Sequence, residues 1–267
     1  KLLARSLNGT VEKIFVGKRG GAPSMEQSAI TALLLELARA GKNVVRLKGG
    51  DPMVFGRGGE EAIALAEAKL AFEVIPGVTA GVAAPAYAGI PVTHRGVSTA
   101  VTFITGHEDP GKETDQTDWA ALARAGGTLV LYMGVSRLAK IAKALIDGGR
   151  APTTPAAIIE WGTYPRQRTV TATLATLAES AAREKIIAPS IAIVGDVVGL
   201  RAEMSWFDRR PLFGRTIVVT RAREQASQLR TALEIAGATV IEAPAIRIEP
   251  LDPAPLRNAL GEIAMYQ

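Results

Sequence analysis

Val44-Val45-Arg46-Leu47-Lys48-Gly49-Gly50-Asp51-Pro52-Met53-Val54-Phe55-Gly56-Arg57-Gly58-Gly59-Glu60-Glu61 joins a short β-branched run to two clusters of glycine. The run Val44–Leu47 predicts a strand leaving a helix that ends near Gly41. Glycines directly after a strand let the backbone take positive φ and approach a ligand closely, and Pro52 fixes the turn. Asp51 then places a carboxylate at the strand's C-terminal end, where open α/β sheets bind ligands. The spacing is not a dinucleotide fingerprint, because no G-x-G-x-x-G opens the helix. Nor is it a Walker A loop, since no Gly-Lys-Ser/Thr follows.

Outward from this stretch, short apolar runs alternate with helical periodicity. Val11–Val16 and Phe72–Ile75 read as further strands. Met25–Ala40 reads as a helix with Ile30, Leu33, Leu34 and Leu37 on one face, and Glu60–Ala68 as another. Thr79–Ala88 is helical in pattern, with a kink or early end expected at Pro85. Such alternation implies an α/β domain with substantial parallel pairing. Ser98–Thr105 is β-rich, and the polar stretch Gly106–Asp118 reads as a connection. A second unit follows: strand Thr128–Tyr132, helix Val135–Asp147, strands Ala156–Glu160 and Gln167–Thr173, helix Leu174–Arg183 and strand Ser190–Val194. A boundary is expected near Met204–Arg215. Beyond it, strand Thr216–Thr220, helix Gln225–Ala236 and strand Thr239–Ala243 open a new βαβ unit.

Composition narrows the functional classes. In 267 residues there are no cysteines, which excludes disulfides, thiolate metal sites and cysteine nucleophiles. Only two histidines, His94 and His107, are present, so no metal centre is expected. The net charge of +5 comes without a lysine-arginine block and with few aromatics, which argues against a nucleic-acid partner. A small polyanionic substrate would account for the same bias, as would ordinary surface chemistry. No apolar run reaches membrane-spanning length and no secretory leader is visible, so no membrane partner and a cytoplasmic location are expected. Lys1–Leu7 reads as mid-helix and Ala259–Gln267 stops within an apolar-periodic segment, so the sequence is expected to continue at both ends.

Several motifs follow one another in order: Val16-Gly17-Lys18-Arg19, Gly49-Gly50-Asp51-Pro52, Val74-Ile75-Pro76-Gly77-Val78-Thr79 and Ala88-Gly89-Ile90-Pro91-Val92-Thr93-His94-Arg95. Thr105-Gly106-His107 and Leu131-Tyr132-Met133-Gly134 come later. From about residue 10 to Trp206 the chain resembles the uroporphyrinogen-III C-methyltransferases of the tetrapyrrole (precorrin) methyltransferase family. The resemblance implies an α/β fold of two αβα domains with a cleft between them (residues 1–106, its start missing, and 107–208), assembled as a homodimer. It also implies S-adenosyl-L-methionine as methyl donor, S-adenosyl-L-homocysteine as product and a tetrapyrrole as substrate.

By that resemblance Gly49, Gly50, Asp51, Val54, Thr79, Ala80, Met133 and Gly162 line the cofactor site. Asp51 would face either the ribose hydroxyls or the methionyl ammonium, and Met133 would otherwise be a core methionine. Lys18 matches a position assigned as proton donor; without the family it would read as a solvated lysine beside Arg19. A lysine acting as an acid near neutrality needs its pKa lowered, and Arg19 is a neighbouring cation. The family's partner acid, in a Tyr-Asp-Arg motif, and its opening glycine-proline turn fall upstream of the matched region. Uroporphyrinogen III carries eight carboxylate arms, so Arg19, Arg46, Arg57, His94 and Arg95, with Lys48, are candidate cations for the substrate. Each could instead serve an intramolecular ion pair, and His94 a structural role.

Arg215-Thr216-Ile217-Val218-Val219-Thr220-Arg221-Ala222-Arg223, Gly237–Val240 and Pro244–Pro250 resemble the opening of uroporphyrinogen-III synthase. Residues 209–267 are therefore expected to begin a truncated α/β synthase domain. The implied activity is methylation of uroporphyrinogen III at C2 and C7 to give precorrin-2, on the route to sirohaem and cobalamin. Two alternatives stay open: a methyltransferase for a later precorrin, or a catalytically silent binding module.

Overall fold

The structure, a computed structural model, describes residues 11–17, 25–106, 117–246 and 252–263. It is a mixed α/β fold whose chain divides into two compact units, Lys1–Ala80 and Gly81–Gln267. The expectation for Lys1–Leu7 and most of the Gly106–Asp118 connection lie outside the described residues.

In the first unit, α1 (Gln27–Arg39) buries Ile30 and Leu34, one turn apart on the face the periodicity marks. Gly41, at φ +75°, ends it as the Lys42 amide donates back to the Leu37 carbonyl at 3.2 Å. Helix α2 (Gly58–Glu67) begins inside the glycine-rich stretch and turns Glu61 inward, where its carboxylate accepts from Gln27 of α1 at 2.9 Å.

The three strands expected here do not form. Val11–Val16, Val44–Leu47 and Phe72–Ile75 run without ladder hydrogen bonds among the described residues, and Val45 and Ile75 are 86% and 70% exposed. The expected parallel pairing in this part of the chain is therefore corrected. β-Branched composition supplies a preference for extended backbone, but a strand exists only where a neighbour takes its amides and carbonyls.

The second unit matches its sequence reading closely. Helix α3 (Ala80–Tyr87) carries Pro85 and stops two residues later, with the Ile90 amide closing on the Pro85 carbonyl at 2.8 Å. Strands β1 (Val101–Thr105), β2 (Thr128–Tyr132), β3 (Pro155–Glu160), β4 (Arg168–Thr173) and β5 (Ser190–Val194) form one sheet, ordered β1-β2-β5-β3-β4. β1 and β2 are parallel, and the other pairs are antiparallel. Two reversals, β2 to β5 and β5 to β3, leave β1, β2 and β3 pointing the same way. Their C-terminal ends share one edge.

Alternation places Leu129, Leu131, Ala156, Ile158, Ala192 and Val194 on one face. Leu138, Ile141 and Leu145 of α5 (Leu138–Asp147) and Leu177 and Ala181 of α6 (Leu177–Arg183) belong to the same buried cluster. Each fully buried Leu or Ile contributes about 1.5–3 kcal/mol. The opposite face, with Val130, Ala157, Ile159 and Ile193, is buried too. Short helices α4 (Trp119–Ala125) and α7 (Arg201–Met204) flank the sheet in sequence.

After α7, buried Phe207 lies against Tyr87, Trp206 and Phe213, with ring centroids 4.7, 5.5 and 5.4 Å away. Strands β6 (Thr216–Val219) and β7 (Thr239–Glu242) pair in parallel, with the crossover helix α8 (Arg223–Ile235) between them in sequence. Helix α9 (Ala254–Ile263) leaves Leu256, Leu260 and Ile263 exposed.

Candidate functional site

The Gly49–Asp51 turn is held by one side chain. Asp51 accepts from the Met53 amide through Oδ1 at 2.8 Å, and from the Gly77 amide through Oδ2 at 3.0 Å. The Gly77 and Met53 amides hold its carboxyl below the ordinary value, because both favour the charged form. Gly50 has φ +72°, and a Cβ there would touch the backbone of Val78, Thr79 and Ala80. A Cβ on Gly77 would lie 2.2 Å from the Gly50 carbonyl oxygen. The two turns therefore meet backbone to backbone, as only glycines allow.

The second glycine cluster folds onto Pro52. The Gly58 amide donates to the Pro52 carbonyl at 2.9 Å, and Cβ atoms on Gly56 or Gly58 would collide with that oxygen. Phe55 and Arg57 take positive φ without being glycine, a sign of local strain. Gly49, Gly50 and Ala80 are exposed, Val54 is half-buried and Thr79 is buried. Asp51 accepts from the Gly77, Met53 and Val54 amides, and its two oxygens carry about four lone-pair sites, which leaves room for a hydroxyl or ammonium.

The candidate cations divide into two groups. Arg57 forms a two-pronged ion pair with Glu60, at 2.7 and 2.8 Å, which raises the guanidinium and lowers the carboxyl. Arg46 and Lys48 both donate to buried Glu61, at 3.1 and 2.8 Å. Burial pushes the Glu61 carboxyl up, but Lys48, Gln27 and Arg46 outweigh it and the net shift is downward. His94 opens a tight turn closed by its bridge to Ser98, and its side chain and that of Arg95 are exposed. Lys18, Arg19 and His107 lie outside the described residues. Among the described residues no cluster of His, Cys, Asp or Glu could hold a metal, and no helix is long and apolar enough to cross a membrane.

In the second unit, Met133 and Gly162 follow the C-terminal ends of β2 and β3. Met133 has φ 52° and is 52% exposed, which rules out the core reading of its side chain. The buried Tyr132 hydroxyl accepts from the Gly81 amide at 2.7 Å. Gly162 packs against α3 so closely that a Cβ would sit 2.4 Å from that of Ala84. Buried Gln167 fixes this loop, accepting from the Thr163 amide at 2.8 Å and donating to the Tyr87 carbonyl at 3.3 Å. Sequence reasoning missed Gln167, Tyr132 and the Gly77 amide as supports. Tyr87 as partner of Gln167, Gly81 of Tyr132 and Asp51 of Gly77 lie far along the chain, and no local pattern announces them.

Residues 4–178 match the family model for Tetrapyrrole (Corrin/Porphyrin) Methylases. An S-adenosyl-L-methionine-dependent uroporphyrinogen III methyltransferase of Methanosarcina barkeri is 53% identical over 200 residues, 75% of this chain and 78% of that protein. The uroporphyrinogen-III C-methyltransferase of Bacillus subtilis is 45% identical over 88% of this chain, which spans 49% of that protein's length. A crystal structure of uroporphyrin-III C-methyl transferase from Thermus thermophilus, complexed with S-adenyl homocysteine, aligns with a TM-score of 0.57. That alignment has 40% identity and covers 67% of this chain and 80% of that one.

Proposed function

This chain belongs to the tetrapyrrole (corrin/porphyrin) methylases, and we propose that it methylates uroporphyrinogen III at C2 and C7 to give precorrin-2. S-adenosylmethionine would supply an activated methyl carried on a sulfonium, leaving S-adenosylhomocysteine. Gly49, Gly50, Asp51, Val54, Thr79, Ala80, Met133 and Gly162 are the residues that would hold it. The fit rests on their chemistry: exposed backbone without side-chain bulk at Gly49 and Gly50, and a charged carboxylate with acceptor positions to spare at Asp51.

One observation carries this reading furthest. The exposed, left-handed turn at Gly50 is locked by Asp51 onto the Gly77–Ala80 turn, so a ligand would meet a preset backbone. Preset positioning suits a reaction whose donor is already activated, since orientation and exclusion of water supply much of the rate.

Lys18 would move the proton that the ring must lose or relocate. Arg19, Arg46, Arg57, His94 and Arg95 would meet substrate carboxylates, His94 and Arg95 with exposed side chains, Arg46 and Arg57 through N–H groups beyond those given to Glu61 and Glu60. Two methyltransferase domains (1–106 and 107–208) with a cleft, a homodimer and a cytoplasmic location belong to the same proposal. For residues 209–267 we propose the start of a synthase-like domain, supported by the parallel β6–α8–β7 unit.

The test is anaerobic incubation with S-adenosylmethionine and uroporphyrinogen III, followed by mass spectrometry. A product heavier by two CH2 units, each methyl entering as one proton leaves, with two equivalents of S-adenosylhomocysteine, is expected. Methylation of a precorrin that already carries methyls, with none of uroporphyrinogen III, would overturn the first-step assignment. Affinity for S-adenosylhomocysteine without any turnover would instead mark a silent module.

A further inference from the structure

The hairpin between β3 and β4 holds an arginine that the proposed chemistry has not used. Trp161 and Thr163 both take left-handed φ, 50° and 72°, so this loop is kept in one strained shape. Besides Gln167, the Trp161 amide donates to the Pro189 carbonyl at 3.1 Å, and the Gly214 amide to the Pro165 carbonyl at 3.2 Å. On that frame the Trp161 and Tyr164 rings stand edge to face, 5.7 Å apart. The Arg166 guanidinium carbon sits 3.4 Å above the Trp161 ring centre and 5.7 Å from that of Tyr164.

Stacking uses the face of a guanidinium and leaves its in-plane N–H groups free for a carboxylate. The nearby acid does not consume them. Glu160 is already bound through Oε2 to Arg168 at 2.6 Å and through Oε1 to the Ile187 amide at 3.0 Å. Among the described residues Arg166 forms no ion pair, and it is exposed. A cation held flat on an aromatic face loses less freedom on binding than a solvated lysine or arginine does.

Its position gives it a ligand. Tyr132, Ile191 and Ile159 lie abreast across the sheet, so Met133 and the hairpin leave the same edge from strands two spacings apart, roughly 10 Å. The hairpin itself contains Gly162. Resting on the cofactor and substrate assignment above, we propose that Arg166, stacked on Trp161 beside Tyr164, binds a side-arm carboxylate of the tetrapyrrole.

The probe is uroporphyrin III, the stable oxidised macrocycle with the same carboxylate arms, titrated against the whole chain by calorimetry. Arg166→Gln should weaken binding about tenfold, the loss of one charged hydrogen-bond pair, and flatten its dependence on salt. Arg166→Lys should keep part of the affinity. Affinity for S-adenosylhomocysteine should match the wild type in both variants, a result that mere disturbance of the Gly162 loop would not give. Equal affinity of wild type and Arg166→Gln for uroporphyrin III would overturn the role of Arg166 while leaving the substrate assignment intact. A parallel fall in S-adenosylhomocysteine affinity would overturn it too. A wild-type chain that does not bind uroporphyrin III at all would sink the substrate assignment itself.

Discussion

Asp51 and Gly77 stand 26 residues apart in sequence and are joined by a 3.0 Å hydrogen bond from the Gly77 amide to the Asp51 carboxylate. That bond makes the aspartate a clasp between two glycine turns before it is a contact for any ligand. Asp51→Ala should therefore lower affinity for S-adenosylhomocysteine by roughly tenfold or more, since the turn and a ligand acceptor go together. The clasp also sets a pH dependence. Its folded-state pKa is depressed by the Gly77 and Met53 amides, so its contribution is complete above the ordinary value of 3.8. It is lost only as pH falls through the lower folded value. Calorimetric affinity that is flat from neutrality to pH 5 and fails only in stronger acid is expected. A decline centred near pH 6 would show that another group governs binding.

Gly77→Ala tests the same junction from the other side. Its new methyl would lie against the Gly50 carbonyl oxygen, and backbone cannot swing away as a side chain does. A loss of about 2 kcal/mol is expected in urea unfolding, with weakened cofactor binding. Gly59→Ala is the control, because nothing lies within 4 Å of its Cβ direction. Equal behaviour of the two variants would show that the turns are not in contact.

Glu61 supports the stretch from beneath. It is buried and accepts from both Arg46 and Lys48, on the segment entering the Gly49 turn. Glu61→Ala leaves two cations without their partner and should cost about 3 kcal/mol of stability. Glu61→Gln keeps the shape but not the charge and should cost less. Because its carboxyl is shifted down, the pair's stability is complete above the ordinary carboxylate range and disappears as pH falls through the shifted value. Denaturant midpoints at pH 7 and pH 3.5 check both statements; a Glu61→Ala midpoint equal to wild type at pH 7 would remove the network from the account.

The legibility of the sequence was uneven for a physical reason. In the second unit, runs such as Thr128–Tyr132 and Ser190–Val194 became strands at the expected places because each found partners and was buried on both faces. Val44–Leu47 is β-branched as well, yet its amides have no ladder and Val45 faces outward. Composition records a residue's preference, whereas pairing depends on segments far away. The glycine turn at Gly49–Asp51 was readable because its geometry demands glycine locally. The acceptor role of Asp51 toward Gly77, and the bracing of Gly162 by Gln167, depend on distant backbone groups.

Gln167 gives a test of that bracing. Gln167→Leu preserves volume but leaves the Thr163 amide and the Tyr87 carbonyl without their partner, at a cost of about 2 kcal/mol. Hydrogen exchange should quicken at Thr163 more than at the β2 amides. Uniform quickening across the sheet would mean that Gln167 supports the whole unit and not this loop.

A boundary at residue 208 follows the sequence, but contacts continue past it. Phe213 lies 5.4 Å, ring to ring, from buried Phe207, and the Gly214 amide holds the Pro165 carbonyl in the hairpin that carries Arg166. Beyond Gly214 the parallel β6–β7 pair forms its own small sheet, separate from the five-stranded one. Truncation after Gly214 should therefore leave the melting transition and S-adenosylhomocysteine affinity close to those of the whole chain. Truncation after Asp208 should cost about 2 kcal/mol or more, since it removes the packed Phe213 ring, the Arg210 contact on Trp206 and Phe207, and the hydrogen bonds from Arg209 to Ala202 and from Gly214 to Pro165. It should also weaken uroporphyrin III binding through the loosened hairpin. Two truncations that behave alike would place the boundary back at residue 208. Failure of the longer one to fold would show that β6, α8 and β7 belong to the methyltransferase body.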